Sequence, residues 1–151
     1  MDFPIIQETG EEEQISFFFE DVNFKLPDEE LLSRWLLKAA EEEGRDVAEV
    51  TYIFCSDEHL RQINIQFLDH DYYTDVITFP YDDSSIRGDI FISSERVQEN
   101  ASLAGVSFER ELCRVMVHGL LHLAGYEDKM PDQKILMTER EDFHLTGCSF
   151  C

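Results

Sequence analysis

The sequence predicts an α+β fold on three observations. Short apolar runs rich in β-branched and aromatic residues fall between residues 15 and 92, helix-patterned segments take over after residue 93, and 151 residues is the size of one domain. The expected architecture is a single domain over residues 1–151: a small four-stranded mixed sheet packed with about five helices, and a frayed tail at 146–151. A chain of this length buries roughly 68–70% of its unfolded surface. It needs neither disulfides nor a structural metal to hold together, so a metal motif in it reads as functional.

Ile15 to Phe19 is apolar and reads as the first strand. Over 28–43, Leu31, Leu32, Trp35, Leu36 and Ala39 recur at helical spacing between charged residues, and Gly44 supplies the stop. Val50 to Phe54 is the second strand, followed by a helix from Ser56 or Asp57 to Phe67. A polar loop, Asp69 to Tyr73, leads into a third strand, Val76 to Phe79, which Pro80 ends. After the turn-rich 82–85, Ile90 to Ile92 is the fourth strand. Helices follow at about 93–104, 108–124 and 131–145, with Gly105 and Gly125 as stops and Pro131 in a first turn.

With 12 basic and 33 acidic residues, the formal charge is −21. Such a field repels nucleic acid and anionic membranes. It is unevenly spread: residues 1–49 carry 15 acidic and 4 basic side chains, residues 101–151 only 8 and 5. The acidic runs at 11–13, 28–30 and 41–43 read as solvated faces or helix starts. No apolar stretch is long enough to span a membrane, and the N-terminal residues lack the pattern of a secretory signal. A reducing cytoplasm is expected, since Cys55, Cys113, Cys148 and Cys151 form no disulfide framework. Cys148 and Cys151, with His144 just before them, read as part of the tail rather than as a metal or redox cluster.

The chemistry lies in residues 118–128, H-x3-H-x2-G-x2-D. Histidines four apart on a helix differ by about 40° in azimuth and about 6 Å along the axis, so both rings can face one ion. Gly125 lets the chain turn back, and Asp128 brings a carboxylate to the same place. This is the spacing of the metzincin zinc helix. Two nitrogens and one oxygen suit Zn²⁺ and leave a position for water, as catalytic sites require. Zinc peptidases of the H-E-x-x-H type place a base directly after the first histidine; here that residue is Gly119, which removes the base and leaves room beside the ion.

The segment His118-Gly-Leu-Leu-His122-Leu-Ala-Gly125-Tyr126 resembles the H-G-x-L-H-L-x-G-Y signature of the YbeY endoribonucleases, metal-dependent hydrolases of bacterial ribosomal RNA maturation. Ile63-Asn64 followed by Thr74 to Pro80 is similar to that family's LN…T[DN]VLSFP stretch, and Gly88-Asp89-Ile90 to its GDI. The resemblance spans residues 50 to 130 and implies a zincin-like fold, one bound Zn²⁺, and single-strand-specific cleavage at the 3′ end of 16S rRNA and in ribosome quality control. The implied partners are the small ribosomal subunit with its rRNA, and a ribosomal protein or assembly GTPase. Two departures stand out. The family's usual third ligand is His where this chain has Asp128, and its Arg five residues after the Leu of LN is replaced by Leu68.

Three residues are candidates for the missing contacts. Arg114 lies one turn before His118, and Arg87 enters the fourth strand; either can meet an anionic oxygen, or else pair with Glu109 or Glu111, and with Asp82 or Asp83. His70, in the 69–73 loop, is a candidate substrate contact or proton shuttle. Tyr72 and Tyr73 are either base-stacking or packing residues; His59 and His144 are surface or packing residues. The nucleophile is open between metal-bound water and the RNA 2′-hydroxyl. Two other readings compete: a metallopeptidase, and a non-catalytic ribosome-assembly protein with a structural zinc.

Overall fold

The structure, a computed structural model, describes residues 14–81 and 84–151. The acidic run at 11–13, the N-terminal segment and Asp82-Asp83 lie outside the described residues. Among the described residues the order is β1 (Ile15–Phe19), α1 (Glu29–Glu42), β2 (Val47–Cys55), α2 (Asp57–Leu68), β3 (Val76–Pro80), β4 (Ile86–Ser93), α3 (Ser94–Ala104), α4 (Phe108–Leu123) and α5 (Pro131–Thr146). The sheet runs β1-β2-β4-β3; β1, β2 and β4 are parallel, and β3 pairs antiparallel to β4. The expected mixed sheet and five helices are thus present.

Helix starts follow from local chemistry. The Asp28 carboxylate accepts from the Glu30 and Leu31 amides, and the hydroxyls of Ser56, Ser93 and Ser107 accept from residues three further on. Each satisfies donors that a first turn leaves orphaned. Strands β2 and β4 run longer than their apolar centres suggest. Polar Arg87 and Asp89 are carried in register against Glu49 and Thr51 of β2, so pairing extends past the hydrophobic stretch.

The sheet buries two faces. Val50, Tyr52 and Phe54 with Ile86, Ile90 and Ile92 join the large core beneath α1 and α4, where Leu32, Leu36, Met116 and Leu120 are fully or almost fully buried. The other face forms a smaller cluster of Leu60, Ile63 and Ile77 with Phe79 and Phe91. Residues 146–151, expected to fray, include Phe150 edge-on to Trp35, 6.1 Å between centroids, with Cys148 and Cys151 also packed against the large core. The apolar character of Phe150 makes this docking worth ordering a short segment.

Candidate metal centre

Helix α4 carries two of the three expected ligands, and its seat on the sheet is set by two contacts. The fully buried Tyr52 hydroxyl donates to the Met116 carbonyl at 2.8 Å. Gly119 faces β4, where an added Cβ would stand 2.8 Å from Cγ2 of Ile90. The expectation that Gly119 opens space beside the ion is therefore corrected. It lies about 100° round the helix from His118, and its missing side chain lets α4 lie close against the sheet.

The helix ends at Leu123, and Gly125, at φ 115°, takes a backbone conformation costly for other residues. The chain turns back as expected. Asp128 Oδ2 arrives 3.4 Å from Nε2 of His118 and 3.3 Å from Nε2 of His122. Two donors about 2.05 Å from one tetrahedral ion are about 3.3 Å apart, so these separations fit a shared zinc-sized ion. The ligand side chains are 21%, 22% and 35% exposed, which leaves an approach from solvent.

The imidazoles are also oriented for metal binding. Nδ1 of His122 lies 2.9 Å from the Tyr126 carbonyl, which can only accept, so the hydrogen sits on Nδ1 and the Nε2 lone pair faces Asp128. Nδ1 of His118 lies 2.5 Å from Glu141 Oε2, a carboxylate on α5 that imposes the same tautomer. Such outer partners fix ring orientation and raise ligand basicity. Burial works against a charged His118, but the Glu141 hydrogen bond and the charges of Glu141, Asp128 and Asp75 outweigh it and hold its pKa above the ordinary value. The donor set is thus one that favours positive charge at its centre.

A further layer holds these anchors. Glu43, at the end of α1, accepts from the Tyr126 hydroxyl at 2.6 Å and from Arg140 at 2.7 Å, and lies 2.5 Å from His144 Nε2. Burial opposes its ionisation, yet the hydrogen bonds from Tyr126, Arg140 and His144 hold its pKa below the ordinary range. His144 is therefore a buried packing residue, as one of its two readings has it.

A cleft of about 340 Å³ opens at the three ligands and is lined also by Asn64, Leu68, His70, Tyr72, Asp75 and Thr78. His70 reaches it, stacked on Tyr72 at 5.3 Å with Nδ1 3.1 Å from the Tyr72 hydroxyl. Tyr72 and Tyr73 are both about half exposed; Tyr73 lies against Arg61 and Arg96. Burial raises the Asp75 pKa, with the charge of His118 acting the other way. Arg114 lines the adjoining cavity with His118, but its guanidinium is clasped by Glu141 and Asp142, not by Glu109 or Glu111.

Arg87 is not brought to the cleft. Residues alternate across a strand, and Gly119 packs on Ile90, so Arg87 and Asp89 face away from α4; Arg87 pairs with Glu49. The cysteines depart further from expectation: Cys148 and Cys151 are joined by a disulfide, and Cys148 Sγ lies 4.0 Å from Cys113 Sγ. The residues that sequence reasoning missed are Glu141, Glu43 and Arg140. Spacing carried no sign of them, since each acts across a helix packing.

A family model described as Endoribonuclease YbeY matches residues 14–149. The Endoribonuclease YbeY of Cytophaga hutchinsonii is 48% identical over 137 residues, covering 89% of this chain and 96% of that protein. That of Flavobacterium johnsoniae is 45% identical over 129 residues, covering 85% and 92%. The solution structure of TM1509 from Thermotoga maritima superposes with a TM-score of 0.63 at 31% identity, covering 87% of this chain and 86% of that one.

Proposed function

The chain belongs to the YbeY endoribonuclease family and is a hydrolase of RNA acting in rRNA maturation; from that premise we propose that it cuts single-stranded RNA at the 3′ end of 16S rRNA, with one Zn²⁺ held by His118, His122 and Asp128. What supports the ligand set is the convergence of three donor atoms whose two imidazoles are locked in the metal-binding tautomer. When bound, the ion would lower the pKa of a water and polarise a phosphoryl oxygen.

The chain's own side chains do the rest. Glu141 and the Tyr126 carbonyl keep both Nε2 lone pairs aimed at the ion. Asp75, on the cleft wall, offers a carboxylate to accept a hydrogen bond, or hold a proton, from a substrate hydroxyl. The His70–Tyr72 stack gives the rim a flat aromatic face for an unpaired base. Arg114, held by Glu141 and Asp142, acts as a positioning residue for Glu141 and thereby for His118.

Among the described residues, the cleft that holds all three proposed ligands is lined by no Arg or Lys, and Arg114, in the adjoining cavity, is already paired with Glu141 and Asp142. This supports a substrate delivered by the small ribosomal subunit, through a ribosomal protein or assembly GTPase, rather than captured as free RNA, and a cytoplasmic place in maturation and quality control.

The test is cleavage of a labelled 16S 3′ fragment by the zinc-loaded full chain, with the same sequence as a duplex for comparison. Cutting confined to the single strand, and lost together with zinc in His118→Ala/His122→Ala, is the expected result. Undiminished cutting by that variant would overturn the assignment. A 2′,3′-cyclic phosphate among the products assigns attack to the 2′-hydroxyl; a 5′-phosphate made directly assigns it to water.

A further inference from the structure

Cys113, Cys148 and Cys151 form a second cluster of metal-ligating side chains, with sulfurs within 4.8 Å of one another. Cys113 is fully buried on α4, five residues before His118, hence about 140° round the helix and about 7.5 Å along it, on a different face from the first site. Cys148 and Cys151 sit on the turn after α5. That turn is held by the Cys148 amide donating to the Leu145 carbonyl at 3.1 Å and by Phe150 edge-on to Trp35. We propose that, once the Cys148–Cys151 disulfide is reduced, the three sulfurs hold one thiophilic d10 cation, Zn²⁺ or Cu⁺.

The geometry carries this in two ways. Sulfurs bound about 2.3 Å from one tetrahedral ion lie about 3.8 Å apart, and Cys148 Sγ is already 4.0 Å from Cys113 Sγ. The C-x2-C spacing of the tail is the one by which a tight turn offers two thiolates to one ion, and the buried helix supplies the third from a fixed position. Cys113 is buried in the apolar core and Cys148 and Cys151, partly buried, pack against it, surroundings that suit soft ligands and leave one side open to solvent. Burial pushes the Cys113 thiol up to about 12, with the charge of Arg110 lowering it and that of Glu109 raising it, so its proton would leave only as the metal–sulfur bond forms. Among the described residues no His or carboxylate joins the cluster. Three sulfurs alone satisfy Cu⁺, whereas Zn²⁺ would add a solvent ligand.

A dithiol reductant gives two electrons and two protons to the Cys148–Cys151 bond, which breaks to two thiols while the reductant leaves as its own disulfide. Binding then releases the three thiol protons as the three metal–sulfur bonds form.

The test uses the full chain bearing His118→Ala/His122→Ala, which removes the first site and makes the readout independent of RNA cleavage. After reduction and anaerobic removal of reductant, Co²⁺ is titrated as a probe, then displaced by Zn²⁺ or by Cu⁺. Expected are a thiolate-to-cobalt charge-transfer band saturating at one equivalent, its absence in the oxidised chain, and three sulfur neighbours by X-ray absorption in at least one of the zinc and copper forms; the form with three identifies the ion. A Cys113→Ala change should cut affinity at least tenfold and leave two sulfurs. No charge-transfer band in the reduced chain, or two sulfurs in both metal forms of the unaltered cluster, overturns the proposal; the sulfur count decides even if Cys113→Ala does not fold.

Discussion

Oε2 of Glu141 lies 2.5 Å from Nδ1 of His118, and Oε1 of the same carboxylate accepts from Arg114 at 2.8 Å. One buried side chain of α5 therefore orients a proposed metal ligand of α4 and fixes the cation that sequence spacing had offered as a substrate contact. Removing the carboxylate should leave the ligands in place but free His118 to turn. Outer partners of this kind are worth about 10- to 100-fold in metal affinity. Glu141→Ala should lose that much in a competition titration against a chromophoric zinc chelator, and Glu141→Gln, which keeps an acceptor, less. Equal affinity for Glu141→Ala and the parent chain would remove Glu141 from the site.

Gly119→Ala probes the seat of the helix. The added Cβ would stand 2.8 Å from Ile90 Cγ2, and overpacking in a close-packed core costs typically 1–3 kcal/mol. Urea unfolding should show a loss of about that size. In an Ile90→Ala background the same change should cost clearly less, since the colliding atoms are gone. An equal cost in both backgrounds would mean that helix and sheet do not meet at this point.

Glu43 predicts a pH dependence. Its folded pKa is depressed below the ordinary 4.5, so in the unfolded state it binds protons more readily. Its stabilisation is therefore full above the unfolded value and lost as pH falls through the folded one. The stability gap between the parent chain and Glu43→Gln should be widest near pH 7 and shrink below about pH 4.5. Denaturant melts at pH 7 and pH 4 measure it; a gap that widens in acid contradicts the network around Glu43.

Leu68 lines the cleft and is 39% exposed, at the position where the family's usual Arg would stand. With no Arg or Lys among the described residues lining that cleft, the chain should bind free single strands weakly, with a shallow dependence on salt. Leu68→Arg adds one phosphate contact, and the slope of log K against log salt should steepen by about 0.7, the single-strand value. Fluorescence anisotropy across a salt series reads it directly. An unchanged slope would place residue 68 out of reach of the RNA backbone.

The elements were legible where one residue type decides one local outcome. The helix starts expected near residues 28, 56, 93 and 108 fall where Asp28, Ser56, Ser93 and Ser107 cap them, and the His118-His122-Gly125-Asp128 spacing brought three proposed ligand atoms together. What could not be read depends on which faces meet. Gly119 looked like room beside the ion because a sequence gives azimuth around a helix but not what the helix packs on. Arg114 and Glu141 are 27 positions apart and meet only because α5 lies along α4. Arg87 was offered to the cleft by its place before a strand, but the two-residue period of that strand turns it to the other side. The −21 charge is a whole-molecule number and does not describe the cleft, whose character is set by the few groups that line it.

The wiring of the metal centre also ties its affinity to the docking of a helix that supplies no ligand. The three proposed ligands fall within residues 118–128, but the groups that aim or brace them include Glu43 after α1 and Arg140, Glu141 and His144 on α5. A local opening of α5 would leave the three donors in the chain and take away what orients them. By linkage, whatever binds at the three donors also holds α5 in place.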